Sequence, residues 1–108
     1  MKYLSLDRFV DDVINSIQRQ EKEFTFLDIT DPIAETRLEG EDSRFDPSVQ
    51  DSFDNDTVVR LLSAAKESPH VDELFLGYIN INHRVNLALV ELFQGDRTWK
   101  RLALQGCP

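Results

Sequence analysis

Apolar residues recur along this chain at two periods. Over Leu6–Arg19 they fall at Leu6, Phe9, Val10, Val13, Ile14 and Ile17, the spacing of an amphipathic helix with one buried stripe. Ser5 stands where an N-cap is expected. Phe24–Ile29 is short, aromatic and β-branched, and predicts a strand. Thr57–Glu67 returns to the helical period with Val58, Leu61, Leu62 and Ala65 on one face. Asp56 is its expected cap and Ser68-Pro69 its stop. Val71–Leu76 predicts a second strand and Arg84–Phe93 a third helix, closed by Gln94, Gly95 and Asp96 with Gly95 as the C′ residue. Trp99–Leu104 predicts a third strand. Strands separated by helices call for parallel pairing through crossovers.

The strands also repeat one another. Val71, Leu74 and Leu76 recur 28 residues later as Trp99, Leu102 and Leu104, and Leu61, Leu62 and Ala65 recur in step as Leu89, Val90 and Phe93. A 47-residue step relates the second strand to Phe24, Leu27 and Ile29. Each strand reads L-x-x-L-x-L in character. Ile79 and Ile81 follow the second strand at the N/C-x-L places, and Cys107 takes the N/C place after the third. In these residues the chain resembles the leucine-rich repeat family, in its ribonuclease-inhibitor-like class with one helix per repeat. The resemblance is clearest over Asp56–Pro108 and does not extend to the segment between the first strand and the second helix.

The resemblance implies an α/β leucine-rich-repeat solenoid fragment, with three parallel strands in order 1-2-3 and helices on one face. The 108 residues suffice for one domain. Residues 1–29 form an N-terminal helix–strand unit or cap, 30–56 an acidic insertion loop, and 57–108 about two repeats. Leu74, Leu76, Leu102 and Leu104 are expected to point inward against helices, with Leu102→Ala costing about 2–5 kcal/mol. No helix follows the third strand, so the expectation is the N-terminal fragment of a longer array, or a terminus covered by another chain.

Charge adds a second division. Residues 1–56 carry six basic and fifteen acidic side chains, and residues 57–108 carry six and five, giving −8 for the chain. Thr30–Asp56 holds nine of the acids and two bases, with Pro32, Gly40 and Pro47, and reads as a long loop with room for one short helical turn. An acidic surface disfavours nucleic acid and anionic membranes. No apolar run reaches the roughly 20 residues of a spanning helix. Asp7, Arg8, Asp11 and Asp12 break any signal-peptide core. With one cysteine, Cys107, the address expected is cytoplasmic.

Function is sought on the strand residues that point away from the helices. Alternation places Phe26, Glu73 and Arg101 in one row, with Glu73 and Arg101 as an expected ion pair; Asp28, Phe75 and Ala103 in the next; then Thr30, Gly77 and Gln105, with Tyr78 just beyond. The family resemblance implies protein–protein recognition there, without catalysis, metal or cofactor, by Phe26, Asp28, Glu73, Phe75, Tyr78, Arg101 and Gln105. In the contrasting reading Phe26 and Phe75 are tucked under the acidic loop. The alternative function is a small open-sheet α/β domain that binds a small ligand, or acts as an enzyme, at the strand carboxyl ends through Asp31, Tyr78 and Gln105. An acidic mimic of nucleic acid over Glu35–Asp56 is a third reading. Asp51, Asp54 and Asp56 lack the spacing of a calcium loop, and His70, His83 and Cys107 form no catalytic or zinc motif.

Overall fold

The computed structural model describes residues 2–107 and runs α1 (Leu6–Gln18), β1 (Phe26–Thr30), α2 (Pro32–Glu39), a 3-10 turn (Gly40–Asp42), α3 (Asn55–Glu67), β2 (Glu73–Gly77), α4 (His83–Phe93) and β3 (Arg101–Gln105). Helix α1 begins where the pattern places it: the Ser5 hydroxyl accepts from the Arg8 N–H at 3.2 Å, and all six stripe residues are buried. Helix α3 starts two residues earlier than expected. Its cap is Asp54, whose carboxylate accepts from the Thr57 N–H at 2.7 Å, while the expected cap, Asp56, pairs with Arg84 across to α4. Asn82 caps α4 by accepting from the Val85 N–H. Gly95 does not take the left-handed conformation of a C′ glycine; the glycines with positive φ are Gly40 and Gly106.

The three strands form a parallel sheet in the order β1-β2-β3. Each starts about two residues later than the apolar pattern suggests, because Phe24, Val71 and Trp99 pack against the core just before the ladder begins. The register has no slip: Phe26, Glu73 and Arg101 are partners, as are Leu27, Leu74 and Leu102, and Ile29, Leu76 and Leu104. Alternation then sends Leu27, Ile29, Leu74 and Leu76 to one face, where they join the buried stripes of α1, α3 and α4 in one core. Helix α3 packs between α1 and α4, in step with the strands. Arg97 ties the last unit to the one before it, donating to the carbonyls of Ala65, Lys66 and Val71 at 2.8–3.0 Å. Two of those carbonyls belong to the last turn of α3, where the Ala65 carbonyl otherwise accepts only the Ser68 N–H of the cap.

Two expectations need correction. The acidic segment is not a plain loop, since it contains α2 and the 3-10 turn. Asp31 caps α2 by accepting from the Ala34 N–H, and Pro32 sits in its first turn. The helix has no apolar stripe, which is why periodicity does not reveal it. Leu102 and Leu104 share the helix-bearing side of the sheet but are half-exposed, because no further element among the described residues packs on them.

Leu74→Ala is therefore expected to cost about 2–5 kcal/mol, and Leu102→Ala less than about 1.5 kcal/mol, measured by urea unfolding of the two variants. Hydrogen bonds from Thr57 hold the Asp54 carboxyl below its usual value of 3.8. Its contribution to stability is thus present above that pH and fades as acid drives protonation in the fold. Asp54→Asn keeps an acceptor at the cap and is expected to flatten the acid limb of a stability–pH curve.

Candidate functional site

The sheet face away from α1, α3 and α4 carries the three expected rows, since the observed register is the one that generates them. In the first row the Arg101 guanidinium lies 5.8 Å from the centre of the Phe26 ring. The expected Glu73–Arg101 ion pair is not among the ion pairs of the described residues: Arg101 reaches past Glu73 to the aromatic face, where a cation meets the ring quadrupole. In the second row Asp28 accepts from the Thr30 hydroxyl at 2.6 Å, and Phe75 is half-buried beside it. In the third, a side chain at Gly77 would run into Thr30 Oγ1 at 2.8 Å and the Phe75 ring at 2.9 Å, so the bare backbone lets Phe75 lie flat.

Tyr78 follows β2 with φ near +57°. This is an uncommon conformation for a tyrosine. It is held by a 2.7 Å bond from the Tyr78 N–H to the Gln105 carbonyl, and its hydroxyl accepts from Gln105 Nε2 at 3.3 Å. The ring lies over Gly106, where a Cβ would come within 2.4 Å of it.

Above these rows, α2 and the segment after it build a wall. The result is an open cleft of about 330 Å³ whose floor is Asp28, Phe75, Tyr78 and Gln105, all expected site residues, and whose wall adds Leu38, Glu39 and Asp42. Phe75 is half-buried and lines the cleft together with residues of the acidic segment. Phe26 stays exposed outside the cleft, and Glu73 and Arg101 lie beside Phe26 in its row. Asp31 does not line the cleft, being committed to capping α2.

The cleft depends on two residues that sequence reasoning did not single out, Glu35 and Arg44. The Glu35 carboxylate is buried and fully used: one oxygen accepts from the Ser43 hydroxyl and the Arg44 N–H, the other from Arg44 Nε and Nη2 at 2.9 and 2.7 Å. The same guanidinium donates to the Asp28 carbonyl at 3.2 Å and lies 4.8 Å from the centre of the Phe9 ring. It thereby joins the acidic segment to the free edge of β1 and to α1. The available signal was positional: Arg44 is one of only two cations among nine acids and sits directly before a phenylalanine. Four carboxylates border the cleft against this one guanidinium.

Asp54 is a helix cap and Asp56 an ion-pair partner. The Cys107 thiol donates to the Leu76 carbonyl at 3.4 Å. Among the described residues no three His, Cys, Asp or Glu side chains are grouped to hold a metal ion, and no helix is long and apolar enough to cross a membrane. Comparison of the chain with protein-family models, curated proteins and solved structures gives no match.

Removing Arg44 strands a buried carboxylate. Arg44→Met is expected to cost about 3 kcal/mol, the low end for breaking a buried pair because the arginine is itself partly wet. The double variant Glu35→Gln with Arg44→Met is expected to recover part of that loss. Denaturant titration of the three proteins checks both.

Proposed function

We propose that the chain is a non-enzymatic protein-interaction module, a stack of helix–strand units of leucine-rich-repeat type, that receives a basic segment of a partner protein on its open sheet face. Asp28, Phe75, Tyr78 and Gln105 form the floor of the recognition site. Phe26, Glu73 and Arg101 extend it along the first row. The observation that carries this reading is the cleft: an aromatic floor inside a rim of carboxylates, built on paired strands. A lysine or arginine fits such a place, with its stem on Phe75 and Leu38 and its charge toward Glu39 and Asp42.

The alternative, a small-ligand or catalytic site at the strand carboxyl ends, draws less support. Such sites occupy the crevice where strand order reverses in an open sheet. The order 1-2-3 here has no reversal, and Asp31 is turned to its capping role.

A displayed library of random peptides, selected on the immobilised chain, tests the proposal. Recovered sequences are expected to be rich in Lys or Arg beside aliphatic residues, and their binding is expected to weaken with salt. Phe75→Ser is expected to lower the affinity of a recovered peptide about 30-fold, as loss of an aromatic anchor does. Peptides without basic enrichment, or affinity unchanged by Phe75→Ser, would refute it.

A further inference from the structure

The β3 end of the described residues carries an open apolar face. Moving 28 residues along the chain carries Leu62 to Val90, Leu74 to Leu102 and Leu76 to Leu104. The first member of each pair is 1%, 0% and 0% exposed, and the second 45%, 49% and 52%. Leu87, one helical turn before Val90, is also open. The earlier positions are buried because α4 and β3 cover them. The later ones therefore form a two-layer apolar face, half helix and half strand, shaped for another helix and another strand. Beside it runs a free strand edge. Gln105 uses its carbonyl on Tyr78 toward β2, so alternation turns the main-chain N–H and C=O groups of Leu102 and Leu104 to the outside.

We infer that this face is a dimer interface, occupied by a second copy of the same chain, with β3 paired antiparallel to β3 of the other copy about a two-fold axis at Ala103. Three observations select this occupant. First, β3 is self-complementary when reversed. Leu102 falls opposite Leu104 on the apolar face, with their outward main-chain groups in hydrogen-bonding positions. Arg101 falls opposite Gln105 on the other face, so no like charges meet. The axis also brings α4 of each copy onto the same side of the joined sheet, where Leu87 and Val90 meet their equivalents. Second, the charge of the chain is withdrawn from this end: residues 57–108 sum to +1 and residues 1–56 to −9. Two copies thus meet through their nearly neutral halves. Third, the opposite edge is partly taken, since Arg44 occupies the outward Asp28 carbonyl. A two-fold pair uses up the β3 edge of both copies, so association through this edge stops at two.

Sedimentation velocity of the chain from about 1 to 100 μM tests this. The expected result is a concentration-dependent shift to twice 12.5 kDa. Leu104→Lys is expected to weaken the dimer at least tenfold while leaving the circular dichroism of the monomer unchanged, since the side chain is already half in water. The register has its own readout. Ala103→Cys in a Cys107→Ser background places two thiols on facing residues of a non-hydrogen-bonded antiparallel pair, about 4.5 Å apart at Cα. Mild oxidation is then expected to give a covalent dimer in high yield, whereas the Cys107→Ser parent gives none. A monomer at 100 μM, a dimer indifferent to Leu104→Lys, or failure of the Ala103→Cys protein to cross-link would each overturn the proposal.

Discussion

The constraint on which the structure depends is the absence of any slip between neighbouring strands. Because Leu27, Leu74 and Leu102 are ladder partners, and Ile29, Leu76 and Leu104 likewise, every strand presents its aliphatic side chains to the same face. A shift of one residue in any strand would turn its leucines to the opposite side. That common face obliges α1, α3 and α4 to gather on one side and in sequence order. The same register leaves Phe26, Asp28 and Phe75 on the other side, in rows, with α2 and the segment after it rising beside Asp28 and Phe75. Core and candidate site are thus two faces of one alternation.

The acidic insertion makes the two ends of the sheet different. On the β1 side, Arg44 satisfies a strand carbonyl, a buried carboxylate and an aromatic ring at once. A strand edge is commonly blunted by such a charged cover. Burying Glu35 is tolerable only because both its oxygens are fully hydrogen-bonded. On the β3 side no comparable device is found among the described residues. The fold therefore has a finished end and an open one, and the cleft lies near the finished end, walled by the segment that finishes it.

Much of this is legible in the sequence alone. Six apolar residues at helical spacing locate α1 to within a residue, and the 28-residue recurrence yields strand order and register together. What escaped did so for identifiable reasons. Helix α2 has no apolar stripe, so it is held by its Asp31 cap and by Glu35 reaching Arg44, a contact nine residues away that no period encodes. The cap of α3 slid from Asp56 to Asp54 because a run of acidic and polar residues offers several equivalent acceptors, and Arg84, 28 residues on, claims one. Glu73 and Arg101 are correctly placed as neighbours, yet the guanidinium prefers the ring of Phe26. The burial of Leu102 was overstated because a strand pattern tells which way a side chain points and not whether anything waits there.

The loss of burial at β3 also implies a difference in rigidity along the sheet. In stacked units local stability follows neighbour contacts, and β3 has a neighbour on one side only, helped by the three carbonyl bonds of Arg97. Amide protons of α4 and β3 will exchange with solvent by partial opening of that unit, while those of β1 and β2 will wait for rarer, larger openings. The recognition face spans this difference. Asp28 and Phe75 sit on the slowly breathing portion, and Arg101 and Gln105 on the quickly breathing one. A ligand gripping both ends would damp the fraying of β3, coupling occupancy of the face to the integrity of its loosest strand.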